Sequence, residues 1–233
     1  MVAMKRLDTK LGQGTPEFLK EVMFLSTYKH ENLVTLLGFC DEKGESILVY
    51  EFLSNKSLDL HLSSTYLSWS QRLRICIGAA KGLQYLHTPG EGSQHRVLHR
   101  DMKSANILLD HNWNPKISDF GLSKFGLANQ PITYQYTAAV VLCGRQAIQV
   151  IKGVDGLNPL TVAARKCYKE NTLSTIISAS VKGKISFDCL ERFSKIAYQC
   201  TQPERTQRPL MTEIVNELQI ALEYQVLDHC YAF

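Results

Sequence analysis

The chain has 233 residues, 45% hydrophobic and 21% charged, with a formal net charge of +4 from 26 basic and 22 acidic side chains. That is enough chain to bury a core, as one large domain or two lobes, in the composition of an ordinary globular protein. The positive excess is small and forms no long run, so charge gives no case for nucleic acid or a membrane surface as partner.

Seven cysteines, at 40, 76, 143, 167, 189, 200 and 230, are odd in number and include no C-x-x-C pair. Several fall in apolar helical patterns, so they read as buried thiols of a reducing compartment, not as zinc ligands or disulfides. No signal peptide opens the sequence. The longest uncharged window, 125–144, contains Asn129, Gln130, Pro131 and Gln135 and makes a poor membrane span. A cytosolic protein is expected.

In chain order, Val2-Ala3-Met4 lead into Lys5 as a strand over residues 1–7. On its own that lysine is a solvated strand end. Gly12-Gln13-Gly14 lacks the third glycine of a phosphate loop and reads as a flexible connection. Thr15-Pro16-Glu17 starts a helix, with Thr15 as N-cap, Pro16 at the first helical position and a carboxylate at the positive end of the dipole. The helix runs to about Ser26, with an apolar stripe through Phe18, Val22 and Leu25. Glu21 lies on that stripe. An inward carboxylate costs on the order of several kcal/mol unless paired, and Lys5 is the natural partner. Val34 to Cys40 and Ser46 to Phe52 are β-rich runs joined by the turn residues Asp41-Glu42-Lys43-Gly44. From Trp69 to His87 the apolar residues Trp69, Leu73, Cys76, Ile77, Ala80, Leu83 and Leu86 repeat at helical spacing and mark core.

A Gly-rich loop over 89–93 then leads to His99-Arg100-Asp101-Met102-Lys103-Ser104-Ala105-Asn106. Asp101 can take a hydroxyl proton, Lys103 can neutralise a moving phosphate, and Asn106 can hold a metal ion. Past Ile107-Leu108-Leu109 and a turn, the strand Lys116-Ile117-Ser118 delivers Asp119-Phe120-Gly121, whose carboxylate is a second metal ligand. The pattern H-R-D-x-K-x-x-N fixes five residues and arises by chance about once in ten thousand chains of this length. His99 reads as structural.

On these motifs the chain resembles a eukaryotic protein kinase, and Leu48-Val49-Tyr50-Glu51-Phe52-Leu53 looks like the hinge of plant receptor-like kinases. The resemblance, nearest to the malectin-like receptor kinase subfamily, implies roles for particular residues. Lys5 would hold nucleotide phosphates and Glu21 would hold Lys5. Tyr50 would be the bulky residue behind the adenine pocket, and Glu51 and Leu53 would offer backbone groups to adenine. Arg100 would let a phosphate on the activation segment organise the loop, with Ser123, Thr133, Tyr134, Tyr136 and Thr137 as candidate acceptors. Lys103, two residues after Asp101, fits serine/threonine specificity. A kinase glycine loop comes before the lysine strand and would precede Met1.

The pattern breaks between Ala139 and Val140. A G-T-x-G-Y-x-x-P-E-Y-like segment and the helix beginning D-V-Y-S-F-G have no counterpart, and the likeness resumes at Cys143-Gly144-Arg145 and runs to about Leu222. In the family the first segment docks the acceptor hydroxyl, and the helix is the apolar axis of the large lobe. Arg208 would be half of an ion pair whose glutamate lay in the lost segment. Two further helices follow: Ser186 caps a run with Leu190, Phe193, Ile196, Ala197 and Cys200 on one face, and Met211, Ile214, Val215, Leu218, Ala221 and Leu222 mark the other.

The expected fold is α+β, a two-lobed kinase-like arrangement with a truncated small lobe over 1–53, an incomplete helical lobe over 54–228 and a disordered tail over 229–233. The expected function is transfer of the ATP γ-phosphate to protein Ser or Thr hydroxyls in receptor-type signalling, with Mg2+. Expected partners are ATP, a protein substrate and a membrane receptor or co-receptor, with no nucleic acid. The alternatives are a catalytically impaired, pseudokinase-like interaction module or an incomplete gene product, and a third is a chain with no stable fold.

Overall fold

A computed structural model describes residues 1–7, 14–90, 95–127, 141–144 and 160–231. Three antiparallel strands, β1 (Val2–Arg6), β2 (Leu36–Glu42) and β3 (Glu45–Glu51), form a sheet in the order β1-β3-β2. β3 alternates cleanly, burying Leu48 and Tyr50 on the face that meets the helix α1 (Thr15–Thr27). The β2–β3 hairpin turns at Lys43 and Gly44, both at positive φ (54° and 79°), as a two-residue turn matched to strand twist requires. β2 starts at Leu36 and not at Val34. The reason is that the Val34 N–H donates to the Ile117 carbonyl (2.9 Å), so residues 33–34 pair with a strand outside the sheet.

The start of α1 also differs from expectation. Gly14, not Thr15, is the N-cap, and the Glu17 carboxylate turns back to accept from the Gly14 N–H (3.0 Å). The acidic first turn does the capping, so no hydroxyl is needed. Phe18, Glu21, Phe24 and Leu25 are buried.

α2 (Trp69–His87) is the axis of the helical part. Ser68 caps it: its Oγ accepts from the Gln71 N–H (3.2 Å), and Gln71 reaches back to the Ser68 N–H (2.9 Å). Trp69 packs edge-on to Phe193 at 4.9 Å, a core role as the periodicity predicts. A short helical turn at 141–143, then α3 (Leu160–Lys169), α4 (Phe187–Cys200) and α5 (Met211–Tyr231), complete the described helices, with Ser186 capping α4. α5 passes His229, so the tail expected to be disordered is helical as far as Tyr231. Gln225 explains part of this: it is buried and ties the helix to the Ser186 N–H (3.0 Å) and the Lys184 carbonyl (3.2 Å).

Two ribbons lie between sheet and helices: β4 (His95–Leu98) with β7 (Lys124–Leu127), and β5 (Ile107–Leu109) with β6 (Pro115–Ile117). They hold residues 99–106 and 118–123 between them. The fold is α+β. Cys76, Cys143, Cys189 and Cys200 are buried, and burial pushes the thiols of Cys76 and Cys200 up to about 12. Cys40 is exposed, outside the core pattern.

Candidate active site

β1 places Lys5 beside α1, and its Nζ bridges two carboxylates: Glu21 Oε2 at 3.0 Å and Asp119 Oδ1 at 2.9 Å. Glu21 is only 2% exposed. Its second oxygen accepts from the Tyr50 hydroxyl (2.7 Å), so the desolvation of this carboxylate is offset by two donors. Burial by itself would lower the Lys5 ammonium, but the charges and hydrogen bonds of Glu21 and Asp119 outweigh it and hold the group above its ordinary value. Burial, and then the neighbouring Glu21 charge, drive the Tyr50 phenol upward, so it stays a donor.

The loop after β4 is organised by His99, which is buried with its ring edge-on to Phe120 at 4.8 Å. Its Nδ1 accepts from the Asp101 N–H (3.3 Å), which leaves Nε2–H to donate to the Ser118 carbonyl (2.9 Å). Burial lowers its pKa, in keeping with a neutral, structural histidine. Asp101 Oδ2 accepts from Lys103 Nζ (2.6 Å) and from Asn106 Nδ2 (3.0 Å). Asn106 also donates to the Asp101 carbonyl (2.8 Å). Arg100 and Asp119 sit at φ 71° and 67°, a left-handed backbone that costs non-glycine residues on the order of 1 kcal/mol or more. Arg100 donates to the Leu122 carbonyl (3.4 Å) and joins the two loops.

Lys5, Glu21, Tyr50, Asn106, Ser118 and Asp119 line one cavity of about 230 Å³. Grooves of about 610 Å³ between α4 and α5, and about 560 Å³ beside α2, are larger. Both are walled by charges of mixed sign, and among the described residues neither has one lysine bridging two carboxylates.

Asp119 and the Asn106 amide oxygen could supply the donor set for a cation. Both are hard oxygen ligands, and among the described residues no three His, Cys, Asp or Glu side chains gather to cage an ion. That fits a magnesium ion completing its shell with phosphate and water oxygens.

Of the remaining expected site residues, Glu51 and Leu53 end β3 and begin the connection to the helical part. The Glu51 N–H is taken by the Thr35 carbonyl (3.1 Å), and the Leu53 carbonyl accepts from the Lys56 N–H (3.2 Å). Ser123 is corrected as a phosphate acceptor: it is 1% exposed and its hydroxyl donates to the His99 carbonyl (3.2 Å). Thr133, Tyr134, Tyr136 and Thr137 lie outside the described residues. The guanidinium of Arg208, expected to have lost a glutamate, donates to the carbonyls of Gln202 (2.7 Å) and Pro203 (2.9 Å). Sequence reasoning missed Lys116, which pairs with Glu51 at 3.0 Å. A lysine between Pro115 and Ile117 carries no mark that separates it from a solvated one.

A sequence model of the family described as "Protein tyrosine and serine/threonine kinase" matches residues 1–141. The chain belongs to the protein kinase family. Similar curated proteins are the receptor-like protein kinases FERONIA (37% identical), ANXUR2 (36%) and HERK 1 (37%) of Arabidopsis thaliana, each matched over 96% of this chain. These relatives are those of the malectin-like resemblance. The chain spans only 28 to 30% of their lengths. The FERONIA alignment covers 257 positions, more than the 233 residues present, so the relative carries residues with no counterpart here. The kinase match ends at residue 141, beside the Ala139/Val140 break.

Proposed function

We propose that this kinase-family chain transfers the γ-phosphate of ATP to Ser or Thr hydroxyls of a protein substrate. One observation carries the reading: Lys5 is held by Glu21 and by Asp119, 16 and 114 residues away in sequence, at the cavity that Asn106 also lines. The family's division at Leu53 would separate a nucleotide-gripping part from a substrate-binding one. A site on the cytosolic side of a receptor's membrane fits the relatives; among the described residues no helix is long and apolar enough to cross a membrane.

Lys5, kept cationic and oriented by Glu21, would meet nucleotide phosphates, while the backbone of Glu51 and Leu53 would meet adenine behind which Tyr50 stands. Asp119 and Asn106 would hold magnesium, which when bound supplies positive charge to the phosphates. Asp101 has Oδ2 engaged by Lys103 and Asn106. Its Oδ1 is therefore the oxygen to orient an acceptor hydroxyl and receive its proton. Lys103, 49% exposed in its side chain, is placed to swing from Asp101 onto transferred charge. Arg100 would receive a phosphate from the segment after β7.

The test is thermal unfolding of the whole chain with and without Mg-ATP, beside Asp119→Ala. Ligand at a hundredfold excess over Kd adds about 2.7 kcal/mol, several degrees of Tm, to a chain that binds it. A shift in the parent and none in the variant is expected, followed by phosphorylation of a generic protein substrate that Asp101→Asn abolishes. A transition indifferent to Mg-ATP would sink the reading. Nucleotide binding without transfer would favour the second reading, an impaired interaction module, which the alignment positions lacking from this chain support.

A further inference from the structure

We propose that Glu51 and Lys116 form a positioning pair that fixes the adenine-facing end of β3 to the strand carrying Asp119. On this proposal, affinity for the adenosine moiety depends on a lysine outside the nucleotide cavity. The proposal rests on the nucleotide-binding reading above.

Lys116 Nζ lies 3.0 Å from Glu51 Oε1, with the two side chains 16% and 27% exposed. A lysine that merely ended in water would not be so enclosed. The same Glu51 oxygen accepts from the Thr35 N–H (2.8 Å), while the Glu51 N–H donates to the Thr35 carbonyl (3.1 Å). Backbone and side chain of Glu51 are thus held together, and rotating one moves the other. On the far side, Ile117 next to Lys116 is stitched to residues 32–34: its N–H donates to the Asn32 carbonyl (2.9 Å) and its carbonyl accepts from Val34 (2.9 Å). The Ser118 N–H then donates to the Asn106 carbonyl (2.9 Å), and Asp119 follows. The hinge is therefore joined to the strand that leads to Asp119 twice, by the backbone route through Thr35 and Val34 and by one side-chain link, the ion pair.

Lys116 opens on the 560 Å³ groove, away from the cavity that Lys5 and Asp119 line. The neighbouring acid in that groove, Asp110, is committed to its own turn by the N–H groups of Asn112 and Asn114 (both 2.8 Å) and the Asn114 amide (3.0 Å). Glu51 is the carboxylate the lysine reaches. Burial would raise the Glu51 carboxyl, but the hydrogen bonds from Lys116 and Thr35 outweigh it and hold the group below its usual range, as a working ion pair requires.

The test is calorimetric binding of adenosine and of Mg-ATP to the whole chain, with urea unfolding of each variant alongside. Lys116→Met is expected to weaken both ligands by the same factor, about fivefold, the scale of a half-buried ion pair. Lys116→Arg should stay within about twofold of the parent. Lys5→Met, as a contrast, should weaken Mg-ATP and spare adenosine. If Lys116→Met does not fold, Glu51→Gln carries the same expectation. Parent-like adenosine affinity in a folded Lys116→Met or Glu51→Gln, with lower stability alone, would overturn the pair's role and leave the nucleotide site standing. No binding of either ligand by the parent would overturn both, since the pair would have nothing to position.

Discussion

Lys5 satisfies two carboxylates, and they are not equivalent. Glu21 is enclosed and has a second donor in Tyr50, whereas the Asp119 side chain is 40% exposed. On the proposed function, arriving phosphates would therefore displace Asp119 and leave Glu21 in place. The asymmetry depends on the Tyr50 hydroxyl. Tyr50→Phe strips a donor from a buried carboxylate, and we expect a loss of about 1–3 kcal/mol in urea unfolding, because the orphaned oxygen keeps its desolvation cost. An unchanged urea midpoint would show that water replaces the phenol. The sign for Lys5 follows from its raised pKa. Its stabilising contribution is complete below the unfolded value of 10.5 and fades only as pH climbs through the higher folded value, so it is constant across the neutral range.

α2 packs beneath the loops of the candidate site and contributes no side chain to its cavity. α2 approaches β6 so closely that a Cβ on Gly78 would lie 2.5 Å from Pro115 Cγ and 2.9 Å from the Asn32 amide nitrogen. Proline cannot rotate away, so Gly78→Ala should force helix and strand apart. We expect a net destabilisation of about 1–3 kcal/mol in urea, although alanine is intrinsically the better helix former by about 1 kcal/mol. A stabilised variant would mean the contact is slack. Periodicity shows α2 plainly, from Trp69 to Leu86, but not this contact, because the partner lies far along the chain. Arg72 makes the same point. It is fully buried within the helix, giving hydrogen bonds to the carbonyls of Leu67, Ser64 and Val141 and to Ser180, the last two 69 and 108 residues away. No local pattern announces a cation whose acceptors are neutral and distant. The site divides likewise. Asp101, Asn106 and Asp119 are legible as candidates because the phosphoryl-transfer reading asks for those residue types at that spacing. Lys116 acquires meaning only when β3 and β6 are brought together, and Ser123, which reads as a free hydroxyl, loses its role once buried.

Where α2 ends and β4 begins, the fold gathers positive charge without an acid paired to it among the described residues. Arg96 is 4% exposed, and its Nε and Nη2 have no hydrogen-bond partner among the described residues. Near it the half-buried His87 encloses an Nδ1 that also lacks one. Burial first, then the charges of Arg96 and His99, push His87 down to about 3. A histidine depressed in the folded state is neutral there while the unfolded chain takes up a proton below about 6.5, so acid favours unfolding. Its contribution is whole above pH 6.5 and is lost as pH falls toward 3. Between pH 7 and 5 the loss from His87 is about 2 kcal/mol. His30 and His99 shift in the same direction and leave a residual slope, while Glu51, a depressed carboxyl, acts only at lower pH, below its unfolded value of 4.5. Urea midpoints at pH 7 and 5 should therefore fall closer together in His87→Leu than in the parent, by an amount equivalent to that 2 kcal/mol. Equal losses in the two proteins would place the acid sensitivity elsewhere and would mean that water reaches His87 and shields it from Arg96.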